Sequence, residues 1–380
     1  MKHYSFSLIF TVICLALAGY WGHRSDLGLL PALWLVAVLG VLEISLSFDN
    51  AVVNASVLKT MDAFWQKMFL TIGILVAVFG MRLVFPIVIV SVVTGLGTME
   101  VIRLALNDAD RYGEVLTSAY PMIAAFGGSF LLMVFFGFAF DSEREVHWLG
   151  GFERRLGALG KLESFGIVLA LVVVTVTALA SADALQFKVL LAGISGIVLF
   201  VVISSLDGLF EMSVDHEVTG SATEGTLTEG AAGNNAPAAA GNSGPGLAGA
   251  TARNGLVGFL YLEVLDASFS FDGVIGAFAI TRDVVIIMLG LAIGAMFVRS
   301  ITIDLVRRDT LNEYIYLEHG AMYAIGVLAV IMFVGTQVHV PEVLTGCIGA
   351  AFIGTAFYSS LRYRRKHASA SPAAPHSSVG

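Results

Sequence analysis

Apolar positions along this chain fall in long blocks, broken by short polar stretches. Runs of roughly 17–25 apolar residues match the length a helix needs to cross a bilayer. Such runs lie at about 5–22, 29–57, 69–94, 119–140, 165–181, 187–206, 255–281, 284–305, 319–337 and 343–361. About ten transmembrane helices are therefore expected. One gap differs in kind. Its core, "TGSATEGTLTEGAAGNNAPAAAGNSGPGLAGATARN", is rich in Gly, Ala, Ser and Thr with scattered acids. Such a composition cannot bury enough apolar surface to fold, so 208–254 reads as a flexible cytoplasmic linker. The end of the chain, 367–380, reads as a disordered tail.

The two longest runs carry polar residues where apolar ones are the rule. The first holds "LEISLSFDNAVVNA", with Glu43, Ser45, Ser47, Asp49, Asn50 and Asn54; the second holds "LDASFSFDGVIGA", with Asp266, Ser268, Ser270 and Asp272. Glu263 lies one turn before the second motif. Glu43-Ile-Ser45-Leu-Ser47-Phe48-Asp49 aligns without a gap over Asp266-Ala-Ser268-Phe-Ser270-Phe271-Asp272, and Gly73 to Arg82 aligns over Gly290 to Arg299. The motif helices are an odd number of crossings apart and must run in opposite directions. That is the signature of an inverted-topology repeat, whose site typically lies at the midplane between the halves. The units are 29–140 and 255–337, three helices each. Two connecting helices fill 141–207, and 338–366 forms the last transmembrane helix. The first helix, within 1–28, also reads as a signal peptide, since Lys2 precedes an apolar run and "ALA".

Composition agrees with this pattern. Of 380 residues, 57% are hydrophobic and 13% charged, against about 25% charged in soluble domains. Mean hydropathy is +0.85. The chain is expected to be an all-α polytopic membrane protein with the lipid bilayer as its medium. No basic patch with interleaved aromatics points to nucleic acid, and Cys14 and Cys347 lie in apolar runs as packing residues. Fourteen Lys and Arg residues fall on one side of the ten-helix topology and five on the other, with Arg82 and Arg299 inside helices. The richer side is cytoplasmic by the positive-inside rule, which puts both termini there.

The polar positions carry the candidate chemistry. Glu43, Ser47, Asn50 and Asn54 share one helical stripe; Ser45 and Asp49 form another. Glu263, Asp266 and Ser270 share a stripe in the second motif, with Ser268 and Asp272 beside it. Carboxylates six apart do not share a face of a regular helix. Either the helix unwinds at Ser-Phe-Asp, or the acids face a cavity from different walls. Each charge at the bilayer centre costs about 2.5–3.5 kcal/mol even on a lenient scale, more than packing requires. Four carboxylates (Glu43, Asp49, Asp266, Asp272) against Arg82 and Arg299 leave excess negative charge. The available donors are oxygens only, which favours a hard divalent cation such as Mn²⁺, Mg²⁺ or Ca²⁺. Protons compete for the same carboxylates and supply a route to exchange. The metal set is Glu43, Asp49, Asn50, Asp266 and Asp272. Ser45, Ser47, Asn54, Ser268, Ser270, Glu263, Arg82 and Arg299 support it. No permanently bound cofactor is expected. The loop "DSEREVHW" and the Glu318-His319 pair read as solvated or interfacial.

These motifs resemble the TerC/Alx family of bacterial integral membrane proteins, within the LysE superfamily of exporters. The likeness rests on "LEISLSFDNAVVNA" and on "SFDGVIGAFAITRD", where an Asp precedes a small-residue run ending in "FAIT". It implies a multi-pass protein of the bacterial inner membrane, associated with manganese efflux and tellurite resistance, with Glu43, Asp49, Asn50 and Asp272 as transport residues. The second motif reads Phe-Asp-Gly-Val-Ile-Gly where the family's usual pattern is Asp-Ser-hydrophobic-Pro-Ala, which marks a divergent branch. The leading expectation is a non-enzymatic secondary exporter of a hard divalent cation, Mn²⁺ first. The competing readings are a non-transporting membrane component of a metal or tellurite resistance complex, an exporter of a small organic solute, and an intramembrane aspartyl protease. The last lacks the Gly-x-Gly-Asp signature.

Overall fold

The structure is a computed structural model. It describes residues 2–220 and 255–368, apart from 26, 74, 161, 163, 309 and 339. The expected segment 221–254 and the tail from 369 lie outside the described residues.

The described chain is helical throughout. In chain order the helices are α1 (Lys2–Arg24), α2 (Leu29–Leu46), α3 (Phe48–Leu58), α4 (Ala63–Met68), α5 (Phe85–Thr94), α6 (Thr98–Asn107), α7 (Ala109–Ala139), α8 (Gly151–Leu159), α9 (Phe165–Ala180), α10 (Asp183–Gly220), α11 (Gly255–Ile280), α12 (Val284–Arg307), α13 (Thr310–Glu313), α14 (Leu317–Gly335) and α15 (Glu342–Ala368). Two π-helical stretches, Phe69–Gly73 and Val76–Val84, join α4 to α5. Aspartates start several helices: Asp62 accepts from Trp65 N at 3.0 Å, Asp108 from Arg111 N at 3.2 Å, and Asp283 from Val285 N and Ile286 N at 3.0 and 3.1 Å. Such caps satisfy amides that have no partner inside the helix.

All ten expected spans are helical. Among the described residues, seven helices are long and apolar enough to cross a membrane, or up to eight if the bent segment Ala63–Gly73 and Val76–Val92 is one span. The rest of the expected ten depart for physical reasons. Helix α9 has only 16 residues, and α11, though 26 residues long, carries Glu263, Asp266 and Asp272. Helix α10 runs on to Gly220, past the expected linker boundary at 208, because no Gly or Pro interrupts Leu209 to Thr219.

The inverted repeat is visible in the packing. Helix α2 lies along α12 with both chains rising together: Gly290 faces Leu39, and Gly294 faces Glu43. Helix α11 lies along the α4–π segment in the same sense: Gly255 meets Trp65, Phe259 meets Trp65 and Phe69, and Glu263 meets Gly73. The first helix of each half thus rides on the second helix of the other. The third helices, α7 and α14, run antiparallel at the centre, with Gly128 on Met332, Phe135 on Tyr323, and Phe138 on His319. The contacts are reciprocal between the two halves, as the repeat requires. Helix α1 adds to the outside of α12: Ser7 Oγ donates to Met296 O at 2.8 Å, and Trp21 Nε1 to Asp283 Oδ2 at 2.8 Å.

Candidate ion site between the repeats

The first motif helix is broken. Ser47, between α2 and α3, has φ −100° and ψ 16°, and its Oγ donates to Glu43 Oε1 at 3.0 Å. Both arrangements the spacing leaves open are found: the helix breaks, and Glu43 and Asp49 line one cavity, described below. Helix α11 runs through the matching position without interruption.

Glu43 is held by Arg82, which makes a short buried ion pair with Oε1 and also donates to Ala77 O at 2.5 Å. The pair fits because glycines clear its path: a Cβ on Gly294 would lie 2.3 Å from Glu43 Cβ, and one on Gly273 2.8 Å from Oε2. Asp266, the repeat-mate of Glu43, is treated differently. Its Oδ1 accepts from Asn50 Nδ2 at 2.8 Å, and its Oδ2 has no partner among the described residues.

Around Asp266 opens a cavity with about 40 Å³ of room for water centres, enough for a few waters at roughly 10–15 Å³ each. Asn50, Asn54, Glu263, Asp266, Arg82 and Arg299 line it. Among the described residues, five buried acceptor oxygens here have no hydrogen-bond partner (Asn50 Oδ1, Asn54 Oδ1, both oxygens of Glu263, and Asp266 Oδ2), and neither do two buried donors, Arg82 Nε and Arg299 Nε. Buried polar atoms are nearly always bonded, so a concentration of orphan acceptors marks a place for a cation, a proton or water. The lining holds two carboxylates, Glu263 and Asp266, and two guanidinium groups, Arg82 and Arg299, of which Arg82 is already paired with Glu43 outside it. Among the described residues, no three of His, Cys, Asp and Glu converge as a metal cluster. The donor set that does converge is mixed, two carboxylates and two amides.

A second cavity, with about 30 Å³ of such room, lies on the other side of Glu43 and is lined by Glu43, Ser47, Asp49 and Thr345 among apolar side chains. The five residues expected to share one metal site are therefore distributed. Asn50 and Asp266 face the first cavity; Glu43 and Asp49 face the second. Asp272 lies in α11, and its side chain is outside the described residues. Glu263, expected only to support, is central. Ser45 is exposed and donates to its own helix at Val41 O, 2.8 Å. Ser268 donates to Val264 O at 2.9 Å and faces Gly127 of α7. Ser270 is buried, its Oγ has no partner among the described residues, and it lines neither cavity.

One polar cluster escaped the sequence reading. The "DSEREVHW" loop is solvated at Ser142, Glu143, Glu145 and Val146, but its Asp141 and Arg144 side chains fold onto the ends of α7 and α14. Arg144 stacks over the Phe138 ring at 3.3 Å. Burial lowers its pKa, while Asp141, Glu318 and Glu153 oppose that shift. Buried Glu153 accepts from Trp148 N at 2.8 Å and from Tyr323 Oη at 3.0 Å. His319 Nε2 lies 3.0 Å from Val146 O and 3.8 Å from Glu153, so it is buried rather than interfacial.

Residues 48–367 match the family described as "Protein of unknown function (DUF475)". The chain belongs to this family. The matched region includes Asn50, Asn54, Glu263 and Asp266, and leaves α1, α2 and Glu43 outside. No curated protein and no solved structure matches the chain.

Proposed function

We propose that this multi-pass membrane protein is a secondary exporter of a hard divalent cation, and that the cation binds where α3, α11 and the π-helical segment meet. The observation that carries this reading is the set of five orphan oxygens on Asn50, Asn54, Glu263 and Asp266. Carboxylate and amide oxygens suit Mn²⁺, Mg²⁺ or Ca²⁺, and the remaining coordination positions would be filled by water. The local carboxylate excess supports a cationic cargo, and the inverted repeat is the architecture in which such midplane sites recur. Mn²⁺ is the favoured substrate, which rests on the resemblance to the TerC/Alx exporters. The same resemblance and the Lys/Arg asymmetry support the bacterial inner membrane with both termini in the cytoplasm. No catalytic role is assigned to any residue.

The test is cellular manganese in a strain lacking the gene, complemented with the wild-type chain or with Asp266→Asn. Wild type is expected to lower cell manganese under manganese load, and the variant, at equal membrane abundance, is not. Equal manganese content in both strains contradicts the reading.

A further inference from the structure

We propose that the short helix α8 lies in the surface of the bilayer, with its exposed apolar face among the acyl chains and Arg154 and Arg155 on anionic lipid headgroups. The partner it fits is a negatively charged leaflet.

Helix α8 joins α7 to α9 and reads Gly-Phe-Glu-Arg-Arg-Leu-Gly-Ala-Leu. Helical spacing sorts these residues into faces. Glu153 and Gly157, one turn apart, are buried. A Cβ on Gly157 would lie 3.0 Å from Asp141 O, so the helix packs closely on the end of α7. Glu153 is anchored by Trp148 N and Tyr323 Oη. That face belongs to the protein. Phe152, Leu156 and Leu159 form a second stripe. Phe152 is 56% exposed and Leu159 38%, and Leu149 and Leu162 on either side of the helix are 47% and 61% exposed. Single exposed apolar side chains are ordinary. Several large ones on one stripe form a patch, and patches mark interaction.

Position and charge identify what covers the patch. Helix α7, long and apolar enough to cross a membrane, ends at Ala139, and α9 begins at Phe165. Helix α8 therefore sits where apolar helices leave the bilayer. Beyond Leu162 the exposed apolar surface continues along α9 through Val168, Val172, Val176 and Leu179 at helical spacing. The patch on α8 is the end of a lipid-facing strip. Arg155 stands one turn from both Phe152 and Leu159 and so borders the stripe, with Arg154 beside it. Both arginines are exposed, and neither makes an ion pair among the described residues. The exposed acids Glu143 and Glu145 belong to the loop before the helix, not to the stripe. A guanidinium matches a phosphate with two parallel hydrogen bonds. An apolar face rimmed by basic residues is the pattern of a helix lying in the interface, drawn there by anionic lipid.

The test uses the full-length protein with Cys14→Ala and Cys347→Ala removing its free thiols. A nitroxide is placed on Phe152→Cys or, for comparison, on Ser142→Cys in the exposed loop. Vesicles contain phosphatidylcholine alone or equal parts phosphatidylcholine and phosphatidylglycerol. Relaxation of the label by oxygen, which concentrates among acyl chains, is compared with relaxation by a water-soluble nickel chelate. The label at 152 is expected to favour oxygen and the label at 142 nickel. Phosphatidylglycerol is expected to raise the oxygen preference at 152, and Arg154→Gln/Arg155→Gln to cancel that rise. Nickel access at 152 equal to that at 142 overturns the proposal. So does spin–spin broadening between labels at 152, which would make the partner a second copy of the chain. Equal immersion in both lipids overturns the headgroup contact. A second measurement keeps the native cysteines: phosphatidylglycerol is expected to raise the unfolding temperature of wild type more than that of Arg154→Gln/Arg155→Gln. An equal rise in both contradicts the role of the arginines.

Discussion

At one crossing of the inverted repeat Gly40 meets α12, and at the related crossing Glu263 meets the π-helical segment. The partners are equivalent in the alignment, Gly290 and Gly73. In the first half a Cβ on Gly40 would sit 3.3 Å from Ile293, and one on Gly290 2.5 Å from Leu39, so two backbones pack closely. In the second half the carboxylate of Glu263 fills the gap, and a Cβ on Gly73 would lie 2.7 Å from its Oε1. The helix there is π-helical, a geometry often found at functional sites. The same asymmetry reaches Glu43 and Asp266. Glu43 is neutralised by Arg82, while Asp266 keeps an oxygen free. One half therefore closes the structure and the other opens a cavity, although both carry the same pattern of acids, serines and glycines.

The comparison can be broken first at the open half. Glu263→Gln or Asp266→Asn is expected to abolish metal transport while leaving folding intact, since the Glu263 oxygens have no hydrogen-bond partner among the described residues and Asn at 266 keeps the oxygen that accepts from Asn50. The drop in Mn²⁺ affinity should exceed the about 10–100-fold seen when an outer-shell partner of a metal is removed; isothermal titration checks it. Arg82→Leu should destabilise the chain by about 3–5 kcal/mol, because it strands a buried carboxylate. Adding Glu43→Gln should recover much of that loss in detergent unfolding curves. A double variant no more stable than Arg82→Leu alone would show the pair is not a closed unit.

The glycines give the sharper contrast. Gly290→Ala should lower unfolding stability by about 1–3 kcal/mol through overpacking. Gly73→Ala should weaken Mn²⁺ binding instead, because the added methyl meets the Glu263 carboxylate. If both act alike on stability and neither on binding, the two crossings are equivalent. Glu153 is a further control. Its acceptors are filled by Trp148 and Tyr323, so Glu153→Ala is expected to cost about 1–3 kcal/mol without changing transport by the folded fraction.

Much of this was legible in the sequence. Apolar run lengths located the long helices but not the short α4, α6, α8 and α13, and the Ser-Phe-Asp match exposed the repeat. What stayed hidden was which acid captures which arginine. Glu43 and Asp266 are equivalent by type and position, and only the break at Ser47 separates their surroundings. Glu263 was underweighted because its counterpart is Gly40, so the repeat gave it no echo. The loop before α8 is charged and reads as solvated. The burial of its Asp141 and Arg144, and of Glu153 beyond it, depends on Tyr323 and His319, more than 150 residues away, which no local pattern encodes.

The central claim is that the orphan oxygens of Glu263 and Asp266, rather than buried acids in general, bind the cation. Mn²⁺ binding by the purified protein, followed by electron paramagnetic resonance, tests it most directly. The account predicts saturable binding in wild type and in Glu153→Gln, and its loss in the Glu263→Gln/Asp266→Asn double variant. Equal binding by that double variant and the wild type would contradict it.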